Sequence, residues 1–301
     1  MVERRYVSTA QVATALGVSV TTVKRWVDDG VLPAHKTPGG HRKLLLADVL
    51  HIVREGNFPH LELGRLDLPC PAMAQAQPQA LCGHLLAALK SGEASVARLL
   101  LQEASDAGVP LETLADAIVA PAMAHLGHEW ERGRIDALHE HRGTLICVAA
   151  LYALKPVLEE NSGGDHPRAL GGGPEKDPYL LANVLAELVL LEAGWDVINL
   201  GPNTPLASFR KALAEFQPRL LWLSISHLED AERFTVEYRG LYHEAVQAGT
   251  AVAVGGRALT EAVRAGLPYT TFGDGMTHLA AFAHSLHPRP RRPRRGRPRG
   301  S

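Results

Sequence analysis

Cysteine is scarce in this chain of 301 residues, which contains only Cys70, Cys82 and Cys147. An odd number of cysteines, with no Cys-x-x-Cys pair and no Cys/His spacing of a zinc site, argues against a disulfide framework and a structural metal. Each cysteine is predicted to be a buried apolar thiol. The sequence also lacks a nucleophile–base pair and a metal-ligand cluster, so we predict a protein that is not an enzyme.

Long apolar runs are also absent. No segment reaches the roughly 18 to 20 apolar residues that a membrane helix needs, and the first residues lack the apolar core of a signal peptide. We therefore predict a cytoplasmic protein with no membrane partner. The hydrophobic content of 46% is sufficient for buried cores.

The formal net charge of −1 is unevenly distributed along the chain. Residues 288–301 contain seven arginines and no acidic residue, whereas residues 1–287 contain 24 basic and 32 acidic side chains. The interspersed prolines and glycines prevent the last segment from forming a core, so we predict a disordered tail. Its arginines indicate either nonspecific attraction to phosphates or a solubilising role.

The pattern of apolar residues divides the chain into several segments. Residues 1–56 form one unit, 57–78 a linker, and 79–160 a run of helices with apolar residues at i, i+3 and i+4, which predicts a four-helix bundle. In 168–287 short strands alternate with helices, which predicts a doubly wound, Rossmann-like α/β domain with a parallel sheet. Ligands of such sheets bind over the carboxyl ends of the strands. The basic tail, 288–301, follows.

The first unit contains two short helices joined by a glycine turn. Ser8 precedes the first helix, which ends at Gly17, and Ser19 precedes a second helix over residues 20–29. Serine is favoured at helix N-caps and glycine after helix ends, so this spacing predicts a helix-turn-helix. In such a motif the second helix enters the major groove of DNA. Its candidate DNA contacts are Thr21, Thr22, Lys24 and Arg25.

A basic hairpin follows the two helices. The tripeptide Pro38-Gly39-Gly40 predicts a tight turn between two short strands, and its glycines let the backbone approach a phosphate closely. A closing helix is predicted over residues 47–54. The candidate DNA contacts of this hairpin are Lys36, Gly39, Gly40, His41, Arg42 and Lys43.

The stretch VSVTTVKRWVDDGVLPAHKTPGGHRK (18–43) resembles the MerR and excisionase-like winged helix-turn-helix family. The resemblance covers roughly the first 55 residues, in the order of the elements and in their spacing. It implies that the partner of this unit is a double-stranded DNA operator.

Three features of the C-terminal half resemble the CarH/LitR-like cobalamin-dependent regulators. Trp130 is followed after nine residues by Glu140-His141, and in that family a Trp and a Glu-His pair lie over the upper face of the corrin ring. The segments GWDVINLGPNTPL (194–206), SIS (224–226) and GGRAL (255–259) resemble the loops that lie below the ligand. The resemblance implies a cofactor site formed by Trp130, Glu140, His141, Asp177, Tyr179, Gly201, Asn203, Ser224, Ser226, Gly255 and Gly256.

The sequence departs from this family at the position of the cobalt ligand. The family has an Asp or Glu after the first strand, then one residue, then the ligating His. Counting back from Gly194-Trp195 without a gap gives Asp177 and Tyr179, so the axial His is missing. A phenol with an unperturbed pKa near 10 is a poor cobalt donor at pH 7. Glu131 also replaces a His that follows the Trp in light-sensing members.

Asp177-Pro178 has a second interpretation that involves no ligand. Asp is favoured at the N-cap of a helix and Pro at its first position, so the pair predicts a helix over residues 178–193. Three interpretations of the cofactor site therefore remain open. The site binds cobalamin, such as adenosylcobalamin, without a protein axial ligand; it binds a bilin such as biliverdin; or it binds nothing and the domain serves assembly.

The sequence as a whole predicts a DNA-binding transcriptional regulator. Its C-terminal region is expected to sense a tetrapyrrole, with light as one candidate stimulus, and to control both operator binding and association into a dimer or tetramer. One alternative is a constitutive DNA-binding protein with a vestigial sensor. Another is a cobalamin-dependent methyltransferase or mutase component, which the helix-turn-helix and the missing His disfavour.

Overall fold

The structure is a computed structural model that describes residues 6–36, 42–45, 48–49, 78–160 and 166–288. The chain divides into two units, Met1–Gln77 and Pro78–Ser301. The predicted turn with Gly39, Gly40 and His41, most of the predicted closing helix and linker, and the arginines of the tail lie outside the described residues.

The N-terminal unit contains two short helices and a three-stranded antiparallel sheet in the order β1-β3-β2. The helix-turn-helix and the two extended pieces of the hairpin are confirmed, and the second helix ends one residue earlier than predicted. Its buried core includes Val12, Leu16, Val23, Leu32 and Leu44. The elements are β1 (Tyr6–Ser8), α1 (Thr9–Ala15), α2 (Val20–Asp28), β2 (Ala34–Lys36) and β3 (Arg42–Leu45).

Side-chain caps explain where the two helices begin. The Ser8 hydroxyl accepts a hydrogen bond from the Gln11 amide, and the Gln11 side chain accepts one from the Ser8 amide, which is a complete capping box. The Ser19 hydroxyl accepts from the Thr22 amide at 3.0 Å. Between the helices Gly17 adopts a φ of 66°. That left-handed conformation favours glycine, as the sequence predicts.

The second unit begins with a set of helices over residues 78–160, which we call the helical layer. Helix α7 packs on α3 and α4, and the Arg142 side chain of α7 donates to the Lys90 carbonyl at the end of α3. No described helix is both long enough and apolar enough to cross a membrane. The helices are α3 (Pro78–Ser91), α4 (Ala94–Asp106), α5 (Leu111–Thr113), α6 (Ala120–Glu131), α7 (Ala137–Tyr152) and α8 (Lys155–Glu160).

Pro121 does not interrupt the helical layer. Helix α5 continues through a π-helical segment, Leu114–Val119, directly into α6. The Ala120 amide donates to the Ala115 carbonyl, five residues back, and Pro121 follows in the first turn of α6. Proline is tolerated in the first turn of an α-helix, and here that turn follows directly on the widened π-helical segment.

The α/β domain contains a five-stranded parallel sheet in the order β5-β4-β6-β7-β8. The predicted parallel sheet of alternating strands and helices is therefore confirmed. The elements are β4 (Arg168–Gly172), α9 (Leu181–Glu192), β5 (Asp196–Asn199), α10 (Leu206–Phe216), β6 (Leu220–Ser224), α11 (Ala231–Gln247), β7 (Ala251–Gly255), α12 (Glu261–Ala265), β8 (Thr271–Gly273) and α13 (Met276–Leu286).

Both faces of this sheet are covered, as expected for parallel strands rich in apolar residues. Leu170, Leu221 and Val252 contribute to a core shared with α10 and α11, while Trp222 lies in a second core with residues of α9 and α13. The strand order reverses between β4 and β6, because β5 lies on one side of β4 and the following strands, β6 to β8, lie on its other side. That reversal is where doubly wound sheets place their ligands.

Candidate functional site

A cavity of about 1190 Å³ lies between the helical layer and the carboxyl ends of the strands. One wall comes from α6 and α7, and the other from the loops after β4, β6, β7 and β8. Most of the predicted cofactor residues line it. They are Trp130, Glu140, His141, Tyr179, Ser224, Ser226, Gly255 and Gly256.

Trp130 lies at the end of α6 and is 47% exposed, which is unusual for so large an apolar side chain. Its neighbour Glu129 fixes this turn, because the carboxylate pairs with Lys90 at 3.0 Å and with Arg134 at 2.9 Å. The hydrogen bond from Lys90 is the main reason that the pKa of Glu129 lies below its usual value. The turn that presents Trp130 to the cavity is therefore held from two sides.

Glu140 lies in the first turn of α7, after the N-cap Asp136, and His141 follows it directly. The Glu140 carboxylate accepts a hydrogen bond from the Thr144 hydroxyl at 3.0 Å and lies 3.6 Å from His141 Nε2. The His141 side chain is largely exposed, whereas that of Glu140 is partly covered. The helical wall therefore combines one aromatic face with an acceptor and an imidazole.

Tyr179 and Arg257 lie beside each other on the opposite wall of the cavity. The Arg257 guanidinium carbon lies 4.2 Å from the centre of the Tyr179 ring, and Arg257 Nε donates to the Ser226 carbonyl at 3.2 Å. Tyr179 is 45% exposed. The phenol ring thus lies on the cavity wall with a guanidinium over one of its faces.

Asp177 does not cap a helix, so the local interpretation of Asp177-Pro178 is wrong. Helix α9 begins at Leu181, and its N-cap residue, Leu180, provides no side-chain hydrogen bond. The Asp177 carboxylate is fully buried and accepts from the amides of Tyr179 (3.1 Å), Ser226 (2.5 Å) and His227 (3.1 Å). It joins the loop after β4 to the loop after β6, and so fixes two parts of the cavity wall.

Gly201 and Asn203 lie behind the wall rather than on it, since neither lines the cavity. The Asn203 side chain accepts from the Lys176 amide at 2.7 Å, and its own amide donates to the Asp177 carbonyl at 2.9 Å. The Gly201 amide donates to the Asn199 side chain. These residues hold the loops after β4 and β5 together, so the structure assigns them a supporting position.

Two carboxylates join the helical layer to the α/β domain. Asp116, in the π-helical segment, accepts from the amides of Met276 and Thr277 at 2.8 Å and so caps α13. In the opposite direction Glu192 accepts from the Leu111 amide at 2.8 Å. Although Glu192 as a residue is exposed, its carboxylate is desolvated against the helical layer, which raises its pKa to about 6. Each layer thus caps a helix of the other.

The second helix of the N-terminal unit presents a polar surface. Thr21, Lys24 and Arg25 are exposed on α2, and neither cation forms an ion pair with another described residue. The Thr22 hydroxyl lies 2.8 Å from the Ser19 hydroxyl, so it supports the cap of the helix as well. Exposed cations on the second helix of this motif suit contact with phosphates or bases.

Arg42 is engaged inside the N-terminal unit. Its guanidinium donates to the Lys24 carbonyl at 3.2 Å and pairs with Asp28 at 2.8 Å, which fastens β3 to α2. Lys43 is partly exposed on the same strand, and Lys36 lies in β2 opposite Arg42. The structure thus gives Arg42 an internal contact in addition to the predicted one.

Sequence reasoning did not identify Asp116, Glu192 or Arg257. The two carboxylates act across 160 and 81 residues of chain, so no local spacing reveals them. Arg257 could have been identified from the sequence, because it directly follows the Gly255-Gly256 pair that the sequence assigns to the cofactor site.

Two family models match the chain. A helix-turn-helix domain matches residues 6–57, and a B12 binding domain matches residues 81–155. The second match covers the helical layer, which contains Trp130, Glu140 and His141.

Individual proteins are similar to larger parts of the chain. The HTH-type transcriptional repressor CarH of Myxococcus xanthus is 27% identical over 279 residues, which cover 86% of this chain and 91% of that protein. The dimethylamine corrinoid protein of Methanosarcina barkeri is 22% identical over 171 residues, or 56% of this chain and 79% of that protein.

Among solved structures, the monomethylamine corrinoid protein of Methanosarcina barkeri superposes with a TM-score of 0.58 at 18% identity, over 70% of this chain and 100% of that protein. That likeness establishes a shared fold and nothing more. The chain thus joins an N-terminal helix-turn-helix domain to a C-terminal region of the B12-binding type, and over both parts it resembles the CarH-like regulators.

Proposed function

We propose that this protein is a transcriptional regulator that binds operator DNA through its N-terminal unit and a tetrapyrrole in its C-terminal cavity. The observation that carries the proposal is the cavity itself. It brings Trp130 and Glu140 of the helical layer opposite Tyr179 and Ser226 of the α/β domain, in a chain that also contains a helix-turn-helix domain. The similarity to CarH, whose name describes a helix-turn-helix repressor, supports the same assignment.

The cavity suits a large flat ligand. Its volume of about 1190 Å³ exceeds the roughly 300 to 1,000 Å³ typical of sites for drug-sized molecules. Aromatic faces are available on both walls, from Trp130 and Tyr179, and rings of this kind stack on planar conjugated systems. A bound tetrapyrrole supplies absorption of visible light, which makes a light response part of the proposal.

The cavity does not fit a cobalt ion ligated from below in the way the family pattern specifies. Tyr179 occupies that position, and no group of three or more metal-ligating side chains occurs among the described residues. The described wall does contain imidazoles, but at positions other than 179, namely those of His128, His141 and His278. We therefore propose either cobalamin held without a protein ligand at position 179 or a bilin, and assign no role to a cobalt–protein bond.

Ligand binding is proposed to act on the contacts between the two layers. The cavity is bounded by Asp116 and Met276, which together form one of the two cross-layer caps. A ligand that changes the spacing of the layers changes the surface they present jointly. We propose that the helical layer is a four-helix bundle and that this surface controls its association into dimers or tetramers on the operator. Because a proline-containing linker follows the N-terminal unit in the sequence, we assign association to the C-terminal region.

The deciding experiment uses the full chain. The protein is incubated separately with adenosylcobalamin and with biliverdin, desalted in the dark or after illumination, and its absorbance spectrum is recorded together with its sedimentation. Retained corrin or bilin bands support the proposal and identify the ligand. Loss of all colour, with operator binding intact, contradicts the sensor function and leaves a constitutive DNA-binding protein. Transfer of a methyl group from a bound corrinoid to an acceptor, without DNA binding, would favour the alternative of a methyltransferase component.

Replacement of Trp130 by alanine is expected to weaken tetrapyrrole retention about tenfold or more, because it removes the aromatic face of the helical wall. Leu138 serves as the matched control, since it is an exposed apolar residue of the same layer and does not line the cavity. Dissociation constants from absorbance titration measure the effect. Equal losses for Trp130→Ala and Leu138→Ala would contradict the assignment of Trp130 to the wall.

Replacement of Lys24 and Arg25 together by alanine is expected to weaken DNA binding about 10- to 100-fold and to reduce the slope of log K against log salt by about one to two. The physical reason is the loss of two exposed cations from α2. Fluorescence anisotropy with a genomic operator fragment at several salt concentrations measures both quantities. The double variant of Arg98 and Lys211, exposed cations of the second unit, is the control and should bind normally.

A further inference from the structure

Arg257 is the only lysine or arginine on the described wall of the cavity. It follows Gly255 and Gly256 directly after β7, at the carboxyl edge of the sheet. Two contacts fix its position, the stacking on Tyr179 at 4.2 Å and the hydrogen bond from Nε to the Ser226 carbonyl at 3.2 Å. The guanidinium is therefore held on the cavity wall by an aromatic face and a main-chain acceptor.

The charge of Arg257 is not neutralised by the part of the chain that the structure describes. No described carboxylate lies within ion-pair distance of it, and no described acceptor receives its terminal N–H groups. This differs from Arg42 and Arg168, whose guanidinium groups each pair with an aspartate. An arginine that is fixed in place with open terminal donors is arranged to bind a carboxylate through two parallel hydrogen bonds.

The other charged residues of the wall make the cavity electrically asymmetric. Asp116 is occupied by the cap of α13, while Glu131, Glu140 and Asp274 contribute negative charge from the helical layer and from the loop after β8. A ligand carboxylate is repelled by these groups and attracted by Arg257. The position of a single cation therefore determines which end of an anionic ligand enters beside Tyr179.

We infer that Arg257 is a specificity residue that binds a carboxylate of the ligand. The inference rests on the proposed tetrapyrrole function and deepens it. It states that the ligand has free carboxylate side chains, such as the propionates of a bilin, rather than only the uncharged amide side chains that surround a cobalamin ring. Arg257 then selects the ligand by charge, while Trp130 and Tyr179 contribute affinity for its flat ring system.

The experiment compares one chromophore with and without its charge. Dissociation constants of the full chain are measured by absorbance titration for biliverdin, for biliverdin dimethyl ester and for adenosylcobalamin. The variants are Arg257→Gln and Arg257→Lys. Arg264→Gln is the matched control, because Arg264 also stacks on an aromatic ring, that of Phe272 at 4.3 Å, but does not line the cavity. Thermal unfolding of each variant checks that it is folded.

We expect the wild-type protein to bind biliverdin at least about tenfold more tightly than the dimethyl ester, because the ester cannot form the charge-assisted, bidentate contact with Arg257. Arg257→Gln should abolish this preference with little change in affinity for the ester, Arg257→Lys should retain part of it, and Arg264→Gln should retain all of it.

Two results overturn the inference and leave the proposed function in place. One is an equal preference for biliverdin in wild type and Arg257→Gln, and the other is tight binding of adenosylcobalamin with no binding of biliverdin. Failure of all three compounds to bind the wild-type protein overturns the inference and the proposed function together.

Discussion

Replacing Gly171 by alanine is expected to lower the free energy of unfolding by about 3 kcal/mol or more, and to leave much of the protein insoluble. Gly171 lies in β4 opposite Trp222 of β6. A β-carbon at this position would lie 2.1 Å from the Trp222 ring and 2.2 Å from its carbonyl oxygen. Because one of these atoms is backbone, side-chain rotation cannot relieve the overlap, and the central pair of strands must separate.

Urea unfolding followed by circular dichroism measures this change. Gly83 provides the opposite control, since it is exposed within α3 and a β-carbon there meets nothing within 4 Å. Gly83→Ala is expected to stabilise the protein by about 0.5 to 1 kcal/mol, because alanine favours the helical backbone. A Gly171→Ala protein as stable as wild type would mean that the contact between β4 and β6 is looser than described.

Replacing Asp177 by alanine is expected to lower the free energy of unfolding by about 3 to 5 kcal/mol. The change removes a fully buried carboxylate and leaves three main-chain amides, those of Tyr179, Ser226 and His227, without their acceptor. Tyr179 and Ser226 lie on the cavity wall, so ligand retention should decline along with stability. Asp177→Asn should be milder, because the amide keeps one acceptor oxygen.

The same unfolding measurement tests this prediction. Asp230→Ala is the matched control, since the Asp230 carboxylate caps α11 by accepting from the Arg233 amide at 2.9 Å and is exposed. Loss of that single cap should cost only about 1 kcal/mol. Comparable losses for Asp177→Ala and Asp230→Ala would contradict the role of Asp177 as the joint between the loops after β4 and β6.

Helix caps show where sequence reasoning succeeds and where it fails. Caps that act within three residues, such as those of Ser8 and Ser19, were predicted correctly because acceptor and donor lie in the same short segment. Asp177 presents the same local pattern, an Asp followed by Pro, yet its main partners lie 49 and 50 residues further along the chain. A local pattern cannot reveal partners so far along the chain, so the sequence predicts the start of α9 three residues too early.

The fold class was more predictable than the details of the cavity. Alternation of apolar strands and helices predicts the parallel sheet, because both of its faces must be covered. Trp130, Glu140 and His141 were placed by resemblance to a family, and the structure brings them to one cavity with Tyr179 and Ser226. Arg257 and Asp116 required coordinates, since their significance depends on the partners they meet, or do not meet, across the fold.

The cap that Asp116 provides for α13 has a consequence for how opening of the cavity can be observed. The Met276 and Thr277 amides are covered only while the helical layer rests on the sheet, since their acceptor belongs to that layer. Their hydrogen–deuterium exchange therefore reports separation of the two layers, whatever happens in the rest of α13. A ligand that holds the two layers together is expected to slow exchange at these two amides, and a ligand that separates the layers is expected to accelerate it. The exchange rates of the two amides therefore report whether the cavity is closed or open.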